Sequence, residues 1–149
     1  PVGQEIRDCL PTFARDEEED GRSSIVVVIA TDAPLLPGQL KRVTKRIGMG
    51  LARGGAFAHN RSGDLFLAFS TVPVQLDDDG LEMWRVLPNE RLSPLFEATV
   101  QAVEEAVVNA LIAAEDLTGQ NGHTYYAIPH ARLQEVLAKY GRLQVGAAV

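Results

Sequence analysis

The sequence suggests a layered α/β domain, and three observations carry that reading. Ile25-Val26-Val27-Val28-Ile29-Ala30 is an unbroken apolar run, mostly β-branched and of strand length. An amphipathic helical repeat follows it, and a longer helical repeat begins near Ser93. The 149 residues are enough for one domain with a sizeable core.

Residues 1–23 read as a lead and a linker. Pro11 breaks an early helix, and Asp16 to Asp20 is an acidic run closed by Gly21, Arg22 and Ser23. Such a run repels itself and stays solvated. The apolar run from Ile25 lacks polar alternation, so a strand buried on both faces is expected. Thr31-Asp32-Ala33-Pro34 ends it. Pro37 then suits a helix start, where its missing N–H costs nothing. Leu40, Val43, Ile47 and Leu51 form the apolar stripe, Lys41, Arg42, Lys45 and Arg46 face elsewhere, and Gly54-Gly55 stops the helix.

The loop His59-Asn60-Arg61-Ser62-Gly63-Asp64 leads into a second strand, Leu65 to Thr71. Pro73, Asp77-Asp78-Asp79-Gly80 and Pro88 mark a long surface connection, with Trp84 expected to pack over the core edge. Ser93 as N-cap and Pro94 in the first turn open the long helix. Phe96, Val100, Val103, Val107, Ala110, Leu111 and Ala114 make its stripe, through about Glu115. A short strand over Tyr125 to Ile128 and a helix from Pro129, with Leu133, Val136 and Leu137, complete the pattern up to Gly141.

Composition removes several function classes. Lys and Arg number 14 against 20 Asp and Glu, a formal charge of −6, so no basic face is available for nucleic acid. A single cysteine, Cys9, forms no internal disulfide and no zinc site built on cysteine pairs. His59, His123 and His130 are scattered, and there is no phosphate-binding glycine loop; neither a metal nor a cofactor is expected. No apolar run approaches the ~20 residues that cross a bilayer. No signal peptide is visible, and an opening Pro1-Val2-Gly3 without methionine reads as a processed or excised piece. A cytoplasmic location is expected, with the periplasm open.

The junction at Ser23-Ser24 is where chemistry can sit, because a solvated linker there meets a buried strand. The plain reading of Ser24 is a turn residue that satisfies a backbone group. The sharper reading is a cleavage site between Ser23 and Ser24. A cut there gives one residue both a hydroxyl and a free α-amino group, whose pKa of ~7.7–8.0 suits a base near neutrality. That amine can take the hydroxyl proton directly or through water, as a histidine does in a triad.

Ser24 to Leu35 strongly resembles the start of the small subunit in the L-aminopeptidase/D-esterase family, which includes the β-peptidyl aminopeptidases. The likeness continues through Gln39 to Arg42, Gly50 to Gly55, His59 to Asp64, Leu65 to Thr71 and Ala106 to Ala114. It covers roughly Ser24 to Pro129, as separated blocks in one order. The resemblance implies a four-layer αββα sandwich related to N-terminal-nucleophile hydrolases. It implies a precursor cut before a serine, a large (α) subunit completing the fold, and several αβ units together. On this reading residues 1–23 are the end of the large-subunit region with its linker, and 24–149 the small catalytic subunit.

Carried onto this sequence, the resemblance makes Ser24 the nucleophile and Ser62 and Asp64 its helpers. Ser62 is expected to hydrogen-bond the Ser24 hydroxyl and Asp64 to hold an ammonium group. His59 and Asn60 are expected to support that loop without direct chemistry. In related precursors glycine precedes the nucleophile, where this chain has Ser23, and some relatives carry Glu where Asp64 stands. The large subunit is expected to supply the oxyanion donors and most of the pocket for a small peptide, amide or ester. Two further readings stand beside the aminopeptidase: an acyltransferase or pantetheine-type amidase on the same fold, and a non-catalytic assembly or binding domain.

Overall fold

The apolar run folds as β1, Val26–Thr31, and pairs in parallel with β2, Leu65–Ser70, in the register Val26↔Leu65 to Thr31↔Ser70. Parallel strands need a crossover, and helix α1, Pro37–Arg53, supplies it. The computed structural model describes residues 5–6, 24–122 and 124–143; the readings made for Cys9, the acidic run, Ser23 and His123 lie outside them. The chain divides into two units, Glu18–Val107 and a second made of Pro1–Glu17 with Val108–Val149.

Within the first unit, α1 starts as the sequence predicts. Leu36 is extended and Pro37 stands in the first turn. The buried Gln39 reaches back to accept the Leu36 N–H at 3.0 Å, half of a capping box. Val43 and Ile47 are buried, and complete burial of a side chain such as Ile47 contributes about 1.5–3 kcal/mol. Gly54 caps the helix, and Gly55 follows at φ +98°, a conformation glycine adopts without strain. Leu35, Val43 and Leu92 form a core cluster, against which Ile29, Ala68, Leu87 and Phe96 pack. Lys41 and Lys45 are exposed as expected, but the guanidinium groups of Arg42 and Arg46 lie over the Phe96 ring, 5.2 and 3.8 Å from its centre.

The long helix, α2, spans Ser93–Ala113. Gly50 of α1 lets the two helices touch: a Cβ there would stand 2.7 Å from both the Val100 carbonyl oxygen and Val103 Cβ. The α2 stripe is buried only in part. Thr99 and Val103 are buried, whereas Leu111 is exposed. The apolar face thus runs on beyond what the described residues cover.

β1 also departs from expectation. It is not buried on both faces; exposure alternates along it and along β2. Ile29 and Ala68 face the core cluster, while Val26, Val28, Leu65, Leu67 and Phe69 are 69, 53, 59, 52 and 44% exposed. The physical reason is layering: α1 and the Leu35, Val43, Leu92 cluster cover one side of the strand pair, and no described residue covers the other. The connection after β2 carries an antiparallel pair, β3 (Gln75–Leu76) and β4 (Glu82–Met83), turned by Asp77, whose carboxylate accepts the N–H groups of Asp79 and Leu81. Trp84 does not pack over the core edge. It is 53% exposed and donates its indole N–H to Glu82.

In the second unit, β5 (Leu117–Thr118) pairs antiparallel with β6 (Thr124–Tyr125), a shorter strand than the sequence suggests. Helix α3, His130–Lys139, follows Pro129 and buries Val136. Gly141 ends it at φ +63°. Glu5 accepts hydrogen bonds from Lys139 at 2.9 Å and Tyr140 at 2.5 Å. Among the described residues no helix is long and apolar enough to cross a membrane.

Candidate active site

Parallel register builds the site. Because Val26 stands opposite Leu65, the residues just before β1 must meet those just before β2 at one edge of the strand pair. The Leu65 N–H donates to the Ile25 carbonyl at 3.0 Å and extends the ladder by one step toward that edge. Ser24 therefore arrives beside Ser62, Gly63 and Asp64, although nearly forty residues separate them in sequence.

The contacts are specific. The backbone N–H of Gly63 donates to Ser24 Oγ at 2.9 Å. Asp64 Oδ1 accepts two hydrogen bonds, from the Ile25 N–H at 3.1 Å and from the Ser62 hydroxyl at 2.6 Å. A hydroxyl to an ionised carboxylate at that length is a charge-assisted bond. Ser24 and Gly63 are exposed, and Ser62 and Asp64 are half-buried. The nucleophile candidate is therefore open to a reactant, and the pair behind it is partly shielded.

The three site residues predicted from sequence thus share one corner, but their bonding differs from expectation. The Ser62 hydroxyl donates to Asp64, and it is the Gly63 N–H that holds Ser24. Asp64 anchors the residue after Ser24. The difference follows from strand geometry: the ladder aligns the backbone of Gly63 with Ser24, while the Ser62 side chain turns back to the carboxylate two residues on. Gly63, a member of the loop His59 to Asp64 given no role of its own from sequence, contacts Ser24 through its main chain. The one sequence signal for it is its place between Ser62 and Asp64, since a backbone N–H leaves no mark in residue type.

His59 takes part through its backbone. Its carbonyl accepts the Ser62 N–H at 2.8 Å and closes the turn that carries the site, while its exposed ring lies 4.2 Å from that of Phe57. Ala58, just before it, has φ +51°, a left-handed conformation uncommon for a residue with a Cβ. Asn60 is exposed. Among the described residues no three His, Cys, Asp or Glu side chains gather as metal ligands would.

Chemically, the corner holds an exposed serine oxygen that accepts an N–H donor. The neighbouring carboxylate is tied to the same strand start. That is the equipment of a positioned nucleophile.

Comparisons with known proteins show the family and the fold to which the corner belongs. Residues 1–125 match the model of peptidase family S58. A β-peptidyl aminopeptidase BapA of Sphingosinicella microcystinivorans is 50% identical over 125 residues, which are 83% of this chain and 32% of that protein. The BapA of Sphingosinicella xenopeptidilytica is 40% identical over 119 residues, 78% of this chain and 30% of the relative. Among solved structures, the L-aminopeptidase D-Ala-esterase/amidase of Ochrobactrum anthropi, described as a prototype of the serine aminopeptidases and a variant of the Ntn hydrolase fold, is 43% identical with a TM-score of 0.77; the match covers 97% of this chain and 39% of that one. A β-aminopeptidase of Burkholderia sp. is 38% identical with a TM-score of 0.75, over 95% and 39% of the two chains. The chain thus spans about a third of the length of the curated relatives it matches. Its α/β fold is that of the Ntn-hydrolase L-aminopeptidases, and the chain belongs to peptidase family S58.

Proposed function

We propose that this chain carries the nucleophilic part of a serine aminopeptidase that is cut before Ser24 and then releases N-terminal residues from small peptides, amides or esters. The observation that carries the reading is the corner itself: Ser24 Oγ held by the Gly63 N–H, beside a carboxylate bonded to Ser62 and to the start of the same strand. Membership of a peptidase family and the names of the relatives support the reaction class.

Attack by the Ser24 oxygen on the Ser23 carbonyl carbon forms an ester to Oγ as the Ser23-Ser24 C–N bond breaks and frees the α-amino group; water then hydrolyses that ester, leaving Ser23 as a carboxylate and Oγ as a hydroxyl. That amine is then the base for the next attack, on substrate, and an acyl-enzyme forms on Ser24. Ser62 and Asp64 keep the first residues of β1 in register so that the amine and hydroxyl stay oriented. The exposed apolar face of β1 and β2 supports a large (α) subunit from the same precursor as its cover. At about 25 cal/mol per Å², an uncovered face of that kind favours burial strongly. The same partner supplies oxyanion donors and the walls of the pocket, and αβ units assemble further.

Intact-mass analysis of the full-length protein tests the reading. A fragment beginning at Ser24 is expected, and Ser24→Ala is expected to abolish both that fragment and amino-acid release from a dipeptide amide. Persistence of either activity in the alanine variant removes Ser24 from the role.

A further inference from the structure

We infer that the Gly63 backbone N–H is a catalytic group, the donor that stabilises negative charge on the Ser24 oxygen both when it attacks and when it departs. The inference rests on the proposed role of Ser24 and adds a residue to it.

Two observations carry it. The N–H stands 2.9 Å from Ser24 Oγ, within the range of a donor that stabilises an oxyanion. It also points at the nucleophile itself, whereas an oxyanion-hole donor points at the carbonyl oxygen of the substrate. Gly63 leaves room for this approach, since even a Cβ there would stand 3.4 Å from Ser24 Oγ.

The chemistry then separates the states that matter. In acylation the α-amino group of Ser24 takes the hydroxyl proton while Oγ bonds to the substrate carbonyl carbon, and the proton passes to the departing amine as the C–N bond breaks. In deacylation water gives its proton to the same amino group and attacks the ester, and Oγ recovers that proton as the C–Oγ bond breaks. Charge develops on Oγ in both transition states. In the acyl-enzyme between them Oγ is an ester oxygen, a poor acceptor. The hydrogen bond is therefore stronger in the transition states than in the intermediate, and only such a difference speeds the reaction.

The test replaces Gly63 by glycolic acid in the full-length protein, which substitutes an ester oxygen for the N–H and leaves no new side chain. We expect kcat to fall about 100-fold with KM little changed, as for loss of one oxyanion donor. The control makes the same replacement at Gly80, whose N–H donates to the Asp77 carbonyl at 3.0 Å in the β3–β4 turn; an equal backbone bond is lost there, and kcat is expected to hold. A Gly63 variant within twofold of the parent, or a Gly80 variant equally impaired, overturns the inference. Neither outcome touches the Ser24 assignment, which stands or falls on Ser24→Ala. As a readout independent of folding of the variant, the Gly63 amide proton of the parent protein is expected to move upfield when a fluorophosphonate converts Ser24 Oγ to an ester oxygen. A resonance that stays in place overturns the inference as well.

Discussion

Asp64 and Ile25 are joined by a 3.1 Å hydrogen bond from the backbone N–H of one to the carboxylate of the other, so the carboxylate fixes where β1 begins. The same oxygen holds the Ser62 hydroxyl at 2.6 Å. One carboxylate oxygen thus organises two partners, one of them the residue that follows Ser24.

Replacing Asp64 by Asn separates charge from shape. The amide oxygen still accepts, but a neutral acceptor contributes about 0.5–1.5 kcal/mol where a charged one contributes about 1.5–3. We expect the thermal midpoint to fall by only a few degrees, since 1 kcal/mol moves a domain of this size by roughly 2–8 °C. Hydrolysis of a peptide amide is expected to fall at least about 10-fold, because a carboxylate that fixes the start of β1 also fixes the nucleophile, and small misplacements of a nucleophile are costly. Parallel calorimetry and kinetics check the split; an activity loss no larger than the stability loss accounts for would confine Asp64 to structure.

Two glycines of α1 are expected to respond in opposite directions to alanine. At Gly50 the new Cβ would meet Val100 and Val103 of α2 at 2.7 Å, too close without a helix shift, and such overpacking costs about 1–3 kcal/mol. At Gly48, in the same helix, a Cβ would meet nothing within 4 Å, so alanine is expected to add roughly 0.5–1 kcal/mol. Urea unfolding midpoints of the two variants should fall on either side of the parent.

How much of this was legible in sequence varies with the kind of interaction. β1, α1 and β2 were legible because a β-branched run and a helical stripe carry their own periodicity. The exposure of Val26, Val28 and Leu67 was not, because an apolar run records hydrophobicity and not which face is covered, and the described residues cover only one side. Ser24, Ser62 and Asp64 were named through likeness to a family, and parallel register then accounts for their meeting. The Gly63 N–H stayed hidden because main-chain donors have no residue type. Trp84 was misplaced because Glu82, the partner of its indole among the described residues, lies in the same short hairpin, which periodicity over so few residues does not reveal.

Gln39 illustrates a polar residue that periodicity overlooks. It is buried; its amide donates to the Leu87 carbonyl at 2.8 Å and to Asn89 at 3.1 Å, and its oxygen accepts the Leu36 N–H. This one side chain ties the start of α1 to the connection that precedes α2. Gln39→Leu keeps most of the volume and leaves the Leu36 N–H and the Leu87 carbonyl, both in part-buried hydrogen bonds, without this partner, and each unsatisfied group costs about 1–3 kcal/mol. We expect a loss of roughly 2–6 kcal/mol in chemical denaturation, on the sum of two such groups. A variant within 0.5 kcal/mol of the parent, the usual range for surface changes, would mean that water replaces the amide.

The Glu5 cluster is expected to make stability depend on pH through residues outside the Ser24 corner. Hydrogen bonds from Tyr140 and then from Lys139 hold the Glu5 carboxyl below its ordinary range. A carboxyl with a lowered folded value stabilises the fold above its unfolded value, about pH 4.3, and that contribution is lost as pH falls through the lower folded value. Lys139 shifts the other way. Its hydrogen bond to Glu5 raises it, so its contribution is complete below about pH 10.4 and is lost as pH climbs through the raised value. The same bond to Glu5 raises Tyr140, which loses its proton and its donor role only above the ordinary tyrosine range. Thermal melts between neutral pH and pH 3 are therefore expected to show a decline below about pH 4.3 that Glu5→Gln reduces. The decisive comparison is the difference between parent and variant, which should shrink toward zero with acidification; a difference that stays constant from neutral pH down would remove Glu5 from this role.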